Sequence, residues 1–387
     1  MGEQGTITLS TKELQRATVL NDCTQGRVTC ARAAALLGIS LRHCKRLKRR
    51  YRRGGAAALA HVTRGRPSSR RLPHTVRQRI LRLARTTYAG LNDHHLCEKL
   101  RAVEDLVLSR ETLRRLLRGA GIGPPRKRRP PAHRQRRPRR EREGELLQVD
   151  ASPHDWLEGR GPQLTLLGFQ DDATSKVVGA EFFDSESALG YFRLFRNVLR
   201  RYGVPLALYG DRCGVFVRND DHWTVEEQLA GRRQPTQFGR ALEQLGVTFI
   251  AAQSPQAKGR IERLWGVFQD RLVSELRLAQ ASNLASANAV LRRFLADFNR
   301  RFGRAPAHAE KAWRPAPRNL DRICCFRHER IVSHDNVVQW DGRTFQIPPQ
   351  PHRFSFGGAR VQVVQSLAGH LALYYGNTKL SFQETGG

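Results

Sequence analysis

Three acidic residues have the side-chain type and the sequence context of a site for divalent metal ions. Asp150 ends the apolar strand pattern of residues 146–149, Asp211 follows that of residues 206–209, and Glu262 belongs to a helical pattern. In a mixed sheet, carboxylates at neighbouring strand ends and on a packed helix can converge. Hard Mg²⁺ or Mn²⁺ prefers carboxylate oxygens. Two such ions about 4 Å apart stabilise the attacking and leaving oxygens when a phosphodiester is displaced in line.

The segment around Glu262 predicts the helix that must carry this residue. Ser254 is the predicted N-cap, and Pro255 suits the first turn. An apolar stripe repeats every three or four residues, at Ile261, Leu264, Trp265, Phe268 and Leu272. Lys258 lies four residues before Glu262, on a different face of the predicted helix. Lys258 and Glu262 form either an ion pair exposed to solvent or part of a surface that contacts a ligand.

Other polar residues compete for a place in this site. Asp171-Asp172-Ala173-Thr174 separates two strand patterns, and we interpret the segment as a capped hairpin turn rather than as a catalytic pair. His154 and Asp155 are interpreted as loop residues. The polar insert of residues 214–236 contains Asn219-Asp220-Asp221-His222, which could approach the site.

Positive charge is concentrated in the first third of the chain. The net charge is +32, and residues 1–144 hold 36 Lys and Arg against 10 Asp and Glu, a net charge of +26. The remaining residues carry a net charge of only +6. This distribution indicates a polyanion-binding region joined to a nearly balanced body. Histones and ribosomal proteins have a similar balance, so the charge indicates nucleic acid without indicating an activity.

Residues 11–53 predict three short helices arranged as a helix-turn-helix. Gly38-Ile39-Ser40 makes the tight turn before the third helix, which presents an apolar stripe inward. The outward residues are predicted to contact DNA, and they are Arg42, His43, Lys45, Arg46 and Arg49. A small helical bundle with a basic face is the alternative interpretation.

A second three-helix unit is predicted near residues 76–85, 92–101 and 109–119. Its last helix presents Arg110, Arg114, Arg115 and Arg118, which are predicted to line DNA. Arg66, in Gly65-Arg66-Pro67, is predicted to reach a minor groove as part of an arm. His94-His95-Leu96-Cys97 is too compressed for a structural zinc site.

Two further segments complete the organisation of the chain. Residues 124–142 combine five Pro with ten Arg or Lys, which predicts an extended linker that either follows phosphates or serves as a solubilising spacer. After Arg322, short alternating strands with glycine turns predict a small β-barrel of SH3-like size.

Three motifs resemble those of DDE transposases in the retroviral-integrase superfamily, of the ISNCY-type insertion-sequence group. They are Val149-Asp150, Leu208-Tyr209-Gly210-Asp211 and Ser254-Pro255-Gln256-Ala257-Lys258-Gly259-Arg260-Ile261-Glu262-Arg263, and residues 167–176 resemble a strand turn of this group. The resemblance covers about residues 10 to 380. It implies an RNase H-like catalytic core in which Asp150, Asp211 and Glu262 are catalytic and hold two Mg²⁺ or Mn²⁺ ions. The implied activity is cleavage and joining of the ends of a mobile element.

Two features depart from the pattern of the superfamily. Asp211 and Glu262 are 51 positions apart, farther than in the best-known members, and we attribute the distance to the polar insert of residues 214–236. The zinc module of integrases is also absent from the sequence pattern, where helix-turn-helices take its place, so no zinc is implied.

The predicted fold class is therefore multidomain α+β: N-terminal helix-turn-helix units, an RNase H-like core with a mixed sheet and helices, and a C-terminal small β-barrel. The predicted domains are a helix-turn-helix at 1–63, a second helical DNA-binding domain at 64–123, a linker at 124–144, the catalytic core at 145–310 and the β-barrel at 311–387. The expected partners are double-stranded DNA, as terminal inverted repeats and target, and further copies of the chain in a dimer or larger homo-oligomer. Lys258 is expected to contact this DNA.

Two other functions remain compatible with parts of the sequence. A non-catalytic DNA-binding regulator derived from a transposase would need the helix-turn-helix units but not the three acids. A general nuclease would need the core but not two DNA-reading units.

No apolar run approaches the roughly 20 residues that span a bilayer, and Met1 to Gly5 provide no apolar signal region. The seven cysteines are odd in number and form no CxxC pair, as expected of reduced thiols. We therefore expect a soluble, cytoplasmic, prokaryotic protein that is nucleoid-associated when bound to DNA, with no membrane partner.

Overall fold

The computed structural model describes residues 8–61, 64, 71–126, 137–252, 259–350 and 353–385. The chain divides into two compact units, Met1–Arg77 and Gln78–Gly387. The helices are α1 Thr11–Thr24, α2 Cys30–Leu36, α3 Leu41–Gly54, α4 His74–Arg85, α5 Asp93–Ala102, α6 Arg110–Gly119, α7 Ala188–Tyr202, α8 Val225–Ala230, α9 Gln237–Gln244, α10 Ile261–Leu278, α11 Leu284–Phe302 and α12 Leu320–Ile323. The strands are β1 Leu146–His154, β2 Leu164–Asp171, β3 Val177–Phe183, β4 Ala207–Gly210, β5 Thr248–Ala251, β6 Phe326–Ile331, β7 Val337–Trp340, β8 Arg343–Gln346, β9 Arg360–Gln365, β10 Leu371–Tyr375, β11 Thr378–Leu380 and β12 Gln383–Thr385.

The first unit is the predicted helix-turn-helix. Leu20, Cys44 and Leu47 are buried where α1, α2 and α3 meet. Gly38 adopts φ +60°, a left-handed conformation that glycine reaches without steric cost, between α2 and α3. Ser40 then caps α3 by accepting a hydrogen bond from the backbone N–H of His43. The turn therefore sets the angle at which α3 leaves α2.

A five-stranded sheet forms the centre of the second unit, in the order β3-β2-β1-β4-β5. β1, β2 and β3 pair antiparallel, whereas β1, β4 and β5 pair parallel. Helices α7 and α9 cover one face, and α10 and α11 cover the other. This strand order and layering confirm the RNase H-like core that the sequence predicts.

The hairpin between β2 and β3 is confirmed, but β1 is longer than predicted. The sequence pattern predicts that β1 ends at Asp150, whereas the strand continues to His154. Its antiparallel pairing with β2 extends to the pair His154 and Leu164, while its parallel pairing with β4 covers only residues 146–148. Pro153 is tolerated because a strand without a partner on one side does not need its N–H there. Asp150 therefore lies within β1 and not at its end.

Helix α10 begins later than predicted. Arg260 occupies the N-cap position without a side-chain cap, and the helix starts at Ile261. Ser254 and Pro255, the predicted cap and first turn, lie outside the described residues. Glu262 is consequently the second residue of α10.

The C-terminal strands form two antiparallel sheets, β11-β10-β9-β6 and β12-β8-β7. Both contribute to one apolar core that contains Val338, Phe345, Val363 and Leu373. The predicted small β-barrel thus takes the form of two sheets around a shared interior. No helix in the described ranges is long and apolar enough to cross a membrane.

Candidate active site

Asp150 lies in β1, and Asp211 directly follows β4, the parallel neighbour of β1. The pairing of β1 with β4 ends where Gln148 lies opposite Tyr209. Asp150 and Asp211 each come two residues after this last pair, at the same end of the paired strands. Neighbouring strands are about 4.8 Å apart. The membership of both residues in a metal-binding triad stays a prediction.

Glu262 is placed over the same strand by two hydrogen bonds from α10 to β1. The backbone N–H of Ile261 donates to Oε1 of the buried Gln148 at 3.2 Å. The indole Nε1 of Trp265 donates to Oδ2 of Asp150 at 3.0 Å. Glu262 itself is exposed at the start of α10. These contacts fix the helix that carries the third acid against the strand that carries the first.

The ring of Trp265 requires the glycine beneath it. A Cβ atom at Gly168 would lie 2.6 Å from Cη2 of this indole, well inside contact distance. Gly168 pairs with Asp150 across β1 and β2. The absence of a side chain at Gly168 therefore allows Trp265 to reach the carboxylate that it orients. The sequence analysis did not identify this contact, because nothing local links residues 168 and 265.

The three acids have the chemistry of a magnesium or manganese site, since they supply carboxylate oxygens. Among the described residues, no three His, Cys, Asp or Glu side chains are gathered closely enough to hold a metal ion. The structure thus places Asp150 and Asp211 at the same end of the paired strands β1 and β4 and Glu262 on the adjoining helix, without assembling a complete ligand set. The three carboxylate side chains fit the binding of divalent metal ions. The number of ions bound at this site stays a prediction.

Tyr191 and Glu186 border this site and were missed by the sequence analysis. The hydroxyl of Tyr191 donates to Oε1 of Glu186 at 2.8 Å. Burial raises the pKa of Tyr191, and the negative charges of Glu186 and Asp150 raise it further. Tyr191 is therefore a neutral donor at physiological pH. Nothing in the sequence pattern pairs Tyr191 with Glu186, which precedes α7.

The two turn aspartates have different roles. Asp171 caps the turn, since its carboxylate accepts hydrogen bonds from the backbone N–H groups of Gly144 and Thr174 and from the hydroxyl of Thr174. Burial raises the pKa of Asp171 despite these bonds. This arrangement supports the predicted capped hairpin.

Asp172 connects three separate parts of the second unit. Its buried carboxylate contacts the guanidinium groups of Arg137 and Arg260, and it accepts from Nε2 of Gln148 at 2.8 Å. Burial opposes ionisation of Asp172, but the backbone N–H of Arg140 and the two arginine charges outweigh it and lower the pKa. The end of the predicted linker is thereby attached to the core.

The polar insert folds on itself beside Asp211. Arg218 binds the carboxylate of Asp220 with two hydrogen bonds, which lowers the pKa of Asp220 to about 2. The side-chain amide of Asn219 donates to the backbone oxygen of Arg212 at 2.6 Å. The insert also contains α8, whose N-cap Thr224 forms a capping box, although the sequence predicts only irregular structure there. Asp220 is thus engaged by Arg218 within the insert.

In the first unit, α3 presents most of the predicted DNA-binding residues to solvent. Arg42, Lys45, Arg46 and Arg49 are exposed, and His43 is half-buried. Nη2 of Arg46 lies 3.4 Å from Nδ1 of His43, one turn away. The basic face of α3 is therefore accessible to solvent, and its contact with DNA stays a prediction.

On α6, the predicted DNA-binding arginines are partly engaged by acidic neighbours. Arg114 binds Glu111 through two hydrogen bonds of 2.9 Å, and Arg115 lies 3.7 Å from the same carboxylate. Arg118 pairs with Asp93 on α5, so it holds two helices together. Arg110 is exposed and contacts the ring of His94. The predicted residues Arg66 and Lys258 lie outside the described residues.

Helix α10 also binds α5, at the end away from Glu262. Oε1 of Glu275 lies 2.7 Å from Nε2 of the buried His95, and Oε2 accepts from Nζ of Lys99 at 2.7 Å. Although burial opposes it, these two partners lower the pKa of Glu275 to about 2. Arg271 of α10 binds Glu98 of α5 through both terminal nitrogens. Helix α5, which belongs to the second predicted DNA-binding domain, is therefore attached to the helix that carries Glu262.

Comparison with known proteins identifies the class of this chain. Residues 15–68 match a helix-turn-helix domain family. The putative transposase y4bF of Sinorhizobium fredii is 40% identical over 331 residues, which cover 85% of this chain and 71% of that protein. The transposase for insertion sequence IS1202 of Streptococcus pneumoniae is 31% identical over 370 residues, 86% of this chain and 77% of that protein. The chain belongs to the transposase family of these two proteins, and it carries a helix-turn-helix domain for binding DNA.

Solved integrase structures are also similar. The catalytic core of the HTLV-2 integrase in complex with magnesium matches 41% of this chain and 88% of its own, with 15% identity and a TM-score of 0.29. An intasome of simian T-cell lymphotropic virus matches 79% of this chain and 96% of its own, with 13% identity and a TM-score of 0.31.

Proposed function

We propose that this transposase cleaves DNA at the ends of an insertion sequence and joins those ends to target DNA by metal-dependent, in-line attack on phosphodiesters. The observation that carries the proposal is that Asp150 and Asp211 follow the same end of the paired part of β1 and β4, with Glu262 on the helix that is bonded to β1. The transposase relatives support the reaction class.

In this mechanism Asp150, Asp211 and Glu262 would hold two Mg²⁺ or Mn²⁺ ions. When bound, such ions stabilise the charge on the attacking and leaving oxygens of a phosphodiester. Trp265 orients the carboxylate of Asp150 through its indole N–H. Gln148 fixes the first turn of α10, and hence Glu262, relative to β1. The protein thereby supplies positioned charges before DNA arrives, which avoids reorganisation during the reaction.

DNA recognition belongs to the basic N-terminal third in this proposal. The exposed face of α3 reads the terminal inverted repeats in the major groove, and the arginines of α6 and the segment with Arg66 make additional contacts. The domain boundaries at residues 63, 123, 144 and 310 are part of the proposal. Two or more copies of the chain act together, because two ends of one element must be joined in a single event.

The proposal is tested with labelled duplexes that carry the ends of the element flanking this gene. Asp150→Asn, Asp211→Asn and Glu262→Gln each keep the side-chain shape but lose the charge that holds metal. Each variant is expected to bind the end DNA as the wild type does and to lose cleavage and joining in Mg²⁺ or Mn²⁺.

Asp321→Asn is the matched control, because Asp321 is an exposed carboxylate that pairs with Arg196 and Arg200. Near wild-type joining by any one of the three variants would remove that residue from the triad. A wild-type protein that binds the ends but neither cleaves nor joins them would instead favour the non-catalytic regulator.

A further inference from the structure

A group of arginines meets beside the first turn of α10, and we call it the arginine cluster: Arg137, Arg139, Arg260 and Arg304. Arg137 and Arg139 come from the end of the predicted linker, Arg260 precedes α10, and Arg304 follows α11. They surround the turn between β2 and β3, where Arg304 donates its backbone N–H to the oxygen of Thr174 at 2.8 Å. Three distant segments of the chain therefore contribute arginines to one surface.

The cluster carries more positive charge than its central acid can balance. The carboxylate of Asp172 contacts both Arg137 and Arg260, but one carboxylate neutralises only one guanidinium. Arg139 instead donates to uncharged oxygens, the backbone oxygen of Asp172 at 2.8 Å and the hydroxyl of Ser175 at 2.7 Å. The cluster is thus held together by a buried acid and neutral acceptors while its charge stays in excess.

The arginines also lie close enough to repel one another. Burial lowers the pKa of Arg139, and the charges of Arg260 and Arg304 lower it further. Such mutual repulsion costs stability in the free protein. An anion that sits among the guanidinium groups would relieve it, and their planar forks match the geometry of phosphate oxygens.

We propose that the arginine cluster is a binding site for backbone phosphates of duplex DNA, next to the helix that carries Glu262. The inference rests on the proposed function, because it names where DNA is held close to the reacting phosphodiester. Its position beside the start of α10 adds the positive end of a helix dipole to the arginine charges. Arg137 and Arg304 are exposed and form the accessible part of the site. Asp172 is the buried residue that positions it.

The test uses the full-length protein and a fluorescein-labelled duplex of mixed sequence. The affinity is measured between about 50 and 200 mM salt for the wild type and for the double variant Arg137→Gln/Arg304→Gln. Each phosphate contact that is lost lowers the slope of log affinity against log salt by about 0.9. The double variant is therefore expected to reduce the slope by about 1 to 2.

Arg200→Gln is the matched control. Arg200 is an exposed arginine that also pairs with one carboxylate, that of Asp321, and it lies on α7 at the opposite face of the sheet. It is expected to leave the slope unchanged. Thermal unfolding of both variants shows whether the fold is retained, because neither substitution removes a buried side chain.

The proposal is overturned if the double variant keeps the wild-type slope, or if Arg200→Gln lowers the slope equally. The second result would mean that net charge alone, and not this site, sets the salt dependence. A wild-type protein that binds DNA without cleaving or joining it contradicts the proposed chemistry but not this binding site, since the slope measures binding alone.

Discussion

Replacing Glu275 by Gln should loosen the attachment of α5 to α10. His95 and Lys99 lower the pKa of Glu275 from 4.5 to about 2. At 1.36 kcal/mol for each pKa unit, the charged state of Glu275 contributes about 3 kcal/mol to this interface at pH 7. Glu275→Gln should lower the free energy needed to detach α5 from α10 by about that amount. The equilibrium constant for this local opening should then rise about a hundredfold.

Amide hydrogen exchange of α5 peptides at pH 7, followed by mass spectrometry, measures this opening directly. Global unfolding is a poorer assay, because a chain with two compact units need not unfold in one step. Glu384→Gln is the control, since Glu384 pairs with Arg343 on the exposed C-terminal sheets and should leave α5 exchange unchanged. Wild-type exchange of α5 in Glu275→Gln would refute the argument that this carboxylate holds the two helices together.

The pH dependence gives an independent check of the same contact. Because the pKa of Glu275 is lower in the folded protein, its stabilisation is fully present above pH 4.5 and is lost as the pH falls toward 2. The difference in α5 amide protection between wild type and Glu275→Gln, corrected for the intrinsic exchange rate at each pH, should therefore shrink across this window. Other carboxylates titrate in the same range, but they titrate in both proteins and cancel in the difference. A difference that stays constant with pH would contradict the assignment.

Three further predictions concern Trp265 of the active site and the residues expected to contact DNA on α3 and at Lys258. Trp265→Phe should reduce strand joining about tenfold or more without affecting DNA binding, because it removes the hydrogen bond to the charged Asp150. Joining rates at saturating DNA measure this. Arg42→Ala together with Arg46→Ala should weaken binding of the end DNA and lower its salt slope by about 0.9 for each lost phosphate contact. Lys258→Ala should weaken joining more than end binding, with Lys258→Arg restoring only part of the loss, as joining rates at saturating DNA would show.

Each of these predictions has an outcome that contradicts it. Wild-type joining by Trp265→Phe would show that the indole does not orient Asp150. Unchanged affinity and slope in the α3 double variant would remove these arginines from the DNA interface. Wild-type strand joining by Lys258→Ala would show that Lys258 is an ordinary solvent-exposed cation with no role in joining.

The sequence predicted the turns whose conformation depends only on neighbouring residues. The glycine turn before α3 and the capped turn at Asp171 each depend on a few neighbouring residues, and both are present. The end of β1 was predicted wrongly at Asp150, because the apolar run stops there, whereas the strand continues through Pro153 along a side that has no partner strand. Periodicity thus located the core elements but not all of their limits.

Contacts between distant residues could not be predicted from a single sequence. Asp172 was interpreted as a turn residue, yet it pairs with Arg137 and with Arg260, 88 positions away. The segment of residues 124–142 was predicted as an extended linker, but its end is bound to the core through these pairs. A cut between residues 144 and 145 would therefore separate Arg137 from its buried partner.

The contact between α5 and α10 makes α10 a spacer of fixed length. Glu262 and Glu275 are 13 positions apart on one continuous helix, which at 1.5 Å per residue separates them by about 20 Å. Inserting one residue between them would shift the acid by about 1.5 Å and turn it by about 100° relative to α5. Substitutions on the outer face of α10 leave this spacing intact, whereas any change in length alters it. The number of residues between Glu262 and Glu275 therefore fixes the position of Glu262 relative to α5. This number tolerates change less than the residue types on the outer face of α10 do.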